Sequence, residues 1–473
     1  MRYRRYKVVI DDNNQLNIVD TKEGTADVFT PAFIESFNQY IPLGDYILKE
    51  VWERDSLLRN AGGYCFIYNK DKPFDQNVSK EDVKVLYITD NSIVDETLGR
   101  LRHCGTSQFP NLKEINIKID ADCVGLPENF AFKLSELEVL DMGNTKIKRV
   151  GYRSFCGCKK LCTIDLSECT EVSIEAFYDC NSLISVGNTK KVTDFSSGCL
   201  AKTGVQEVDI TSATSLGLMA FTYSDLRNII CDASEEPITI ADRVFECTKI
   251  KRFDIQRPVN MLGNNCFCDT QELEYVNTEN MNITTIPIEC FMGTSKLQTF
   301  VVPAGVKYIR ASAFAGSGIR TIDFSKCDKL EDIGRFSFCK CENLESVDLS
   351  NTECYSIQEF SFSGCTNLKE IILPSKQNYK INKGAFVDCK NLEYVVFGAD
   401  IEYIGAFAFC RCDKLEFLSI PYVDKTLVFE SNCIVECPNL NYIILDDKQE
   451  YNMSLNSFDK NIRIIRESEL GGD

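Results

Sequence analysis

The side chains best equipped for chemistry are 24 cysteines, set against a single histidine, His103. One imidazole nearly removes Ser–His–Asp and Cys–His catalysis and leaves no histidine-rich metal site. His103 stands in LGRLRHCG, which reads as a helix end where a surface or capping imidazole is the plain expectation. Four Cys-x-Cys pairs, Cys156/Cys158, Cys266/Cys268, Cys339/Cys341 and Cys410/Cys412, invite a zinc or iron–sulfur reading. Structural zinc wants two such pairs brought together, and these recur singly. Their spacing decides the matter. Cys158, Cys180, Cys341, Cys365, Cys389, Cys412 and Cys437 each fall three residues after a recurring position usually held by Phe. A free thiol there is expected to act as a small buried hydrophobe, with no metal and no cofactor. Equivalent residues on adjacent strands stand about 5 Å apart, inside disulfide reach. Their side chains point the same way, however, so mostly reduced thiols are expected.

The recurring position keeps a clock. Phe132, Phe155, Phe177, Leu200, Phe221, Phe245, Phe267, Phe291, Phe314, Phe338, Phe362, Phe386, Phe409, Ile434 and Phe458 follow one another at intervals of 21 to 25 residues. Each copy holds a strand with alternating burial, such as Leu344-x-x-Val347-x-Leu349 or Leu415-x-x-Leu418-x-Ile420. A turn follows, with proline at Pro303, Pro374 and Pro421, and then a second apolar pair leading into Ala-Phe. The step from the Phe position to the next Leu is six residues (Phe338 to Leu344) or five (Phe221 to Leu226, Phe314 to Ile319). The shorter form omits the cysteine and reads as a one-residue change in the connecting turn. One such unit cannot bury its own apolar side and must stack on its neighbours. The expected fold is an α/β repeat solenoid: a continuous parallel sheet of short strands, with turns and short helical pieces behind it.

FCGCKKLCTIDL from Phe155, FSGCTNLKEIIL from Phe362 and FCRCDKLEFLSI from Phe409, with the pairs Ala131-Phe132, Ala176-Phe177, Ala220-Phe221, Ala313-Phe314, Ala385-Phe386 and Ala408-Phe409, carry a family resemblance. The sequence resembles the BspA-type leucine-rich-repeat family, whose unit runs I-x-x-x-A-F-x-x-C-x-x-L-x-x-I-x-L-P. The resemblance covers roughly residues 83–465. It implies a leucine-rich-repeat right-handed superhelix, a role in adhesion or other protein recognition, and a cell-surface location. At the N-terminus only Val8, Val9 and Ile10 separate a basic start from Asp11 and Asp12, too few for a signal peptide. Intracellular is therefore the default expectation from the residues, with the cell surface as the family-based alternative.

Since stacking fixes the inward residues, function is expected outward, two and four positions past the strand-opening Leu. The fourth position carries a candidate acidic stripe, Asp141, Asp165, Asp209, Asp254, Asp323 and Asp348, interrupted by Asn116, Gly187, Ile230, Asn277 and Val301. It reads as a mark of a basic partner or a cation, or as plain solubility and protection against edge association. Toward the C-terminus the outward residues turn apolar: Ile372, Tyr394, Val396, Phe417, Tyr442 and Ile444, beside Glu370 and Ser419. That makes a candidate partner-binding patch, or else a strand preference for such residues.

Bulk properties narrow the class. Net charge is −18 at pH 7, which repels nucleic-acid and anionic-lipid phosphates, and no run is long enough to read as a membrane span. Val83-x-x-Leu86-x-Ile88 and Leu112-x-x-Ile115-x-Ile117 look like early rungs. Residues 1–80 do not repeat. They place Phe33, Phe37, Tyr40, Ile41 and then Ile47, Leu48, Val51, Trp52 at helical spacing, followed by a strand from Tyr64 to Tyr68. A mixed N-terminal cap over residues 1–80, a solenoid over 81–465 with its last strand at Ile462 to Ile465, and a frayed tail over 466–473 are expected. The leading reading is a non-catalytic scaffold with a protein partner. Its rivals are a self-assembling subunit partnered by its own copies, and an enzyme confined to 1–80 that would use Asp11, Asp12, Glu35, Asp45, Glu50, Glu53 or Asp55.

Overall fold

The structure is a computed structural model, and it describes residues 6–10, 16–20, 40–42, 46–48, 64–68, 79–88, 91–102, 106–375, 378–398 and 401–471. The chain divides into two compact units, Met1–Ala213 and Thr214–Asp473. In both, a rung consists of two short strands joined by turns. One follows the strand-opening Leu (the Leu strand), and the other leads into the Ala-Phe segment (the Ile strand).

In the first unit the Leu strands Tyr64–Tyr68, Val83–Ile88, Glu114–Ile117 and Val139–Asp141 pair in parallel in that order. The Ile strands Cys123–Leu126, Lys146–Val150, Glu171–Val172 and Asp194–Phe195 form a second parallel ladder. Tyr6–Ile10, Leu16–Asp20 and Tyr46–Leu48 make a separate small sheet. In the second unit the Leu strands from Thr299–Val301 to Tyr394–Val396 form one five-stranded ladder. Phe417–Ile420, Tyr442–Leu445 and Arg463–Arg466 form another. The expected continuous sheet is thus two ladders per rung, and the Leu ladder is interrupted.

No α-helix occurs among the described residues, so the helical pieces and the α/β class are corrected to a coil of short strands joined by turns, with a few 3-10 turns. Backbone conformation is the reason. The residues two before and two after the Phe position are left-handed, as in Glu175 and Asp179 around Phe177 (φ 52° and 62°) or Phe336 and Lys340 around Phe338 (φ 56° and 58°). Two such residues four positions apart leave no room for a helical turn to propagate. The Phe rings stack instead. From Phe245 to Phe409 successive ring centroids stand 5.1 to 5.5 Å apart and nearly parallel. Each such pair is worth about 0.5–1.5 kcal/mol beyond the area it buries.

The cysteines sit where their phase predicts, but they do more than fill space. Cys158, Cys180, Cys341, Cys365, Cys389, Cys412 and Cys437 are buried. Each thiol donates to the carbonyl oxygen of the Phe-position residue one rung back, at 2.9 to 3.3 Å. Where the rung lacks a cysteine, a hydroxyl takes over. Thr270 reaches the Phe245 carbonyl at 2.7 Å, whereas Ser224 and Thr248 turn to the Phe carbonyl of their own rung. The five-residue form of the turn also brings backbones together: a Cβ on Gly318 would stand 2.0 Å from the Ser295 carbonyl oxygen.

Four sequence readings change. In the first copy Ala131, not Phe132, occupies the Phe position, since its N–H bonds the Ser154 carbonyl as the Phe155 N–H bonds that of Ala176. Phe130 fills the core there and meets the Phe155 ring edge-on at 5.9 Å. Tyr40–Pro42 and Tyr46–Leu48 are strands rather than parts of helices; Pro42 and Gly44 break the helical pattern between them. Phe33, Phe37, Val51 and Trp52 lie outside the described residues. Arg100–Leu101 is a strand where a helix end was expected, and His103 lies outside the described residues. The tail is not frayed at its start: Glu467–Gly471 forms a 3-10 turn, pinned by Ser468 donating from its hydroxyl to Asp447 at 2.8 Å.

The thiol bonds give a direct test. Cys365→Ala removes the donor to the Phe338 carbonyl and leaves a small void, and should cost about 1–3 kcal/mol in urea unfolding. Cys365→Thr should recover part of that loss, because Thr270 makes the same bond elsewhere. Equal losses for the two variants would mean that the sulfur acts by volume alone.

Candidate docking surface

The outward residues of the Leu strands separate into two groups with different surroundings. The aspartates of the fourth position close turns. Asp141 accepts the Gly143 N–H at 2.8 Å, Asp165 that of Ser167 at 3.0 Å, and Asp209 that of Thr211 at 2.9 Å. Asp323 accepts from Ser325 at 2.7 Å and Asp348 from Ser350 at 2.9 Å. A carboxylate that bonds the N–H two residues on is an Asx turn, and it ends the strand. Asp254 does a related job through side chains, accepting from the amides of Gln256 at 2.8 Å and Asn277 at 3.1 Å. Cations attend three of the six, Lys118 on Asp141 at 2.6 Å, Lys146 on Asp165 at 2.8 Å and Arg252 on Asp254 at 3.3 Å. The hydrogen bond from Lys146 holds the Asp165 carboxyl below its ordinary value, and the Ser325 backbone N–H does the same for Asp323. Asn277, an interruption in the sequence row, accepts the Glu279 N–H at 3.0 Å and so plays the aspartate's part. Five of the six aspartates therefore close turns within their own units, and Asp254 is held by neighbouring amides. Among the described residues no group of three or more His, Cys, Asp or Glu side chains could hold a metal ion.

The second group has no such internal task. Tyr394, Val396, Phe417 and Tyr442 are 56%, 46%, 47% and 46% exposed, while Ile372 and Ile444 are half-buried. The register aligns them across the coil. Glu370 pairs with Tyr394 and Ile372 with Val396; Phe417 pairs with Tyr442 and Ser419 with Ile444. Strands Tyr394–Val396 and Phe417–Ile420 lie against each other although no ladder joins them. Four exposed apolar side chains thus share one strip, with the Ile pair at its margins.

Sequence reasoning missed a second exposed aromatic row. Phe336 and Phe360, both in left-handed conformations, stack at 5.3 Å, and Phe407 holds the equivalent place two rungs on. The signal was present as the repeated Phe-x-Phe of Phe336/Phe338, Phe360/Phe362 and Phe407/Phe409, but a left-handed Phe is not something composition announces. A cleft of about 450 Å³ was missed as well; it lies among Tyr275, Thr278, Met281, Val301, Pro303 and Lys326.

Most buried thiols are chemically quiet; Cys437, lowered by its hydrogen bond with Cys412, is an exception. The 22 cysteines from Cys123 to Cys437 are free, and burial pushes Cys354 and Cys327 up to about 12. A thiol held so far above neutrality is a poor nucleophile at pH 7. The carboxylates proposed for an enzyme in residues 1–80 lie outside the described residues.

Comparison with known families now has a geometry to fit. A model of the BspA type leucine rich repeat region matches residues 103–227, 170–294, 214–332 and 331–465, together well over half of the chain. The chain belongs to this family. Several solved structures are similar to this chain at low identity. A leucine-rich repeat protein from Bacteroides ovatus is 20% identical (TM-score 0.45), over 68% of this chain and 87% of that one. A leucine rich cell surface protein from Faecalibacterium prausnitzii is 17% identical (TM-score 0.37), over 76% and 93%. The pneumococcal vaccine antigen PcpA is 16% identical (TM-score 0.38), over 76% and 82%. No curated protein matches the chain.

Two measurements check this division of the BspA-type surface. Asp323→Ala should lower stability by about 0.5–1 kcal/mol at pH 7 by leaving the turn N–H unbonded, and Asp323→Asn should not, since its amide oxygen accepts the same bond. A carboxyl with a lowered folded pKa stabilises above its unfolded value, about 3.9, and that contribution is lost as pH falls through the folded value. Urea midpoints of wild type and Asp323→Ala should therefore converge as pH falls below the ordinary carboxyl value; a constant gap would deny the ionised turn closure. In native protein at pH 7.5, Cys123 and Cys162, the two exposed thiols among the described residues, should react with a disulfide reagent before the buried ones, which should react only on unfolding.

Proposed function

We propose that the chain is a non-catalytic recognition scaffold that captures a protein partner on the strip Tyr394, Val396, Phe417 and Tyr442, flanked by Ile372 and Ile444. The observation that carries the reading is the contrast within one surface. The outward aspartates are used in turns, whereas these aromatic and aliphatic groups stand exposed on adjacent strands with nothing to hold. Contiguous exposed aromatics on an acidic protein are typical of binding sites. Covering about 300 Å² of such surface at ~25 cal/mol per Å² is worth roughly 7–8 kcal/mol. Association itself costs about 4–15 kcal/mol, so the strip alone supports weak capture, and polar groups at its margins must set affinity. The same reading takes the coil as right-handed and residues 1–80 as a cap for the first rung. The pairing of Tyr64–Tyr68 with Val83–Ile88 supports the cap.

The test is selection. A displayed peptide library is panned on wild-type protein and, in parallel, on the variant carrying Tyr394→Ser, Phe417→Ser and Tyr442→Ser. These substitutions are outward and should leave the urea midpoint within about 1 kcal/mol of wild type. Enrichment confined to wild type is expected. Equal enrichment on both proteins, or none on either, removes the strip from consideration.

A further inference from the structure

The proposed strip ends in opposite charges. On the side chains' register Glu370 sits beside Tyr394, and Arg463 sits beside Tyr442. Elsewhere in this unit surface charges are absorbed between neighbouring rungs, as in Arg320–Glu345 at 2.8 Å, Arg335–Glu359 at 2.8 Å and Arg411–Asp388 at 2.6 Å. Among the described residues neither the Glu370 carboxylate nor the Arg463 guanidinium has an ion pair or hydrogen bond of this kind. The outward column therefore reads acid, aromatic, aromatic, aromatic, base: Glu370, Tyr394, Phe417, Tyr442, Arg463.

The period of that column selects what can lie along it. Adjacent strands stand about 4.8 Å apart, and the internal Phe rings repeat at 5.1 to 5.5 Å. Four steps span roughly 20 Å. A helix turn rises 5.4 Å, so side chains at i, i+4, i+7, i+11 and i+14 keep step with five successive rungs to within about 2 Å. An extended chain repeats its side chains every 6.6–6.8 Å and falls about a whole rung behind over the same length. Resting on the reading of the strip as a partner surface, we infer that its occupant is an amphipathic α-helix of a partner protein, lying along the coil axis. Three apolar side chains meet Tyr394, Phe417 and Tyr442, a basic group meets Glu370 and an acidic group meets Arg463. The two charges set register and direction, and the aromatics supply the area.

A stapled helical peptide of about 15 residues serves as probe, with Lys at i, Leu at i+4, i+7 and i+11, and Glu at i+14 on an Ala/Gln background. Fluorescence anisotropy should show saturable binding to wild type. Glu370→Lys and Arg463→Glu should each weaken it several-fold, because a like charge replaces an opposite one. The double variant should recover, since the peptide can bind in the reverse direction. Three results overturn the inference: no binding at millimolar peptide, indifference to both single variants, or equal affinity for a proline-substituted peptide that cannot be helical. Light scattering adds a fourth, a concentration-dependent dimer that the triple serine variant abolishes, which would give the strip to a second copy of the chain. Binding lost in the triple serine variant but indifferent to the charge variants would sink the helix and leave the strip standing. Binding that survives the triple serine variant sinks both.

Discussion

Every backbone carbonyl that enters the interior of a stacked coil must find a donor, and the next rung is the nearest place to look. A unit of some two dozen residues has one apolar edge and two short strands, too little to close on itself. Stacking buries the edge but also buries the carbonyl of the Phe-position residue, whose one backbone bond comes from the N–H three residues on, as Cys341 gives Phe338 at 3.0 Å, and whose second lone pair faces the next rung. The thiol three residues past the next Phe answers that need, as Cys365 does for Phe338 and Cys389 for Phe362. Sulfur is a weak donor, yet it is small enough to share the column with stacked rings 5.1 to 5.5 Å apart. Packing and hydrogen bonding are thus met by the same position, and that geometry accounts for seven of the 24 cysteines.

Period and phase were legible because they are written in residue types. Phe, Cys and Leu at fixed offsets disclose a rung, its interior and its strand, and Tyr64–Tyr68 and Val83–Ile88 could be placed from apolar patterning alone. Conformation was less legible. Glu175, Phe336 and Arg411 are left-handed with no glycine or asparagine to announce it, so a segment that looks helix-compatible in composition is a pair of turns. The first copy misled for a related reason: Ala131 and Phe130 exchange tasks, and counting from Phe132 puts the register one residue out.

The outward residues show the same limit from the other side. Asp323 and Tyr394 belong to outward columns of the same ladder, and a sequence offers both as surface. Only the position of the N–H two residues on shows that Asp323 has an internal partner. A charge repeated rung after rung invites a functional reading, yet repetition is also what a turn closure produces, because every rung must end its strand. The aromatic strip is the more informative feature because it is local. It occupies three of the coil's rungs and breaks the polar pattern that the turns impose.

Locality also bears on how a repeat protein can acquire a specific site at all. Rungs contribute to stability almost independently, each through its own neighbours, so an outward substitution changes recognition without disturbing the stack. The acidic surface then acts at a distance. A net charge of −18 accelerates the approach of basic partners and discourages association with other acidic surfaces, to an extent that fades as salt shortens the Debye length. At contact range the Coulomb bias gives way to what the strip offers: three rings, a valine and a charge at either end. Long-range attraction is indifferent to order along the column, whereas contact is not. A surface with an acid at one end and a base at the other therefore distinguishes the direction of whatever lies on it, which uniform negative charge cannot do.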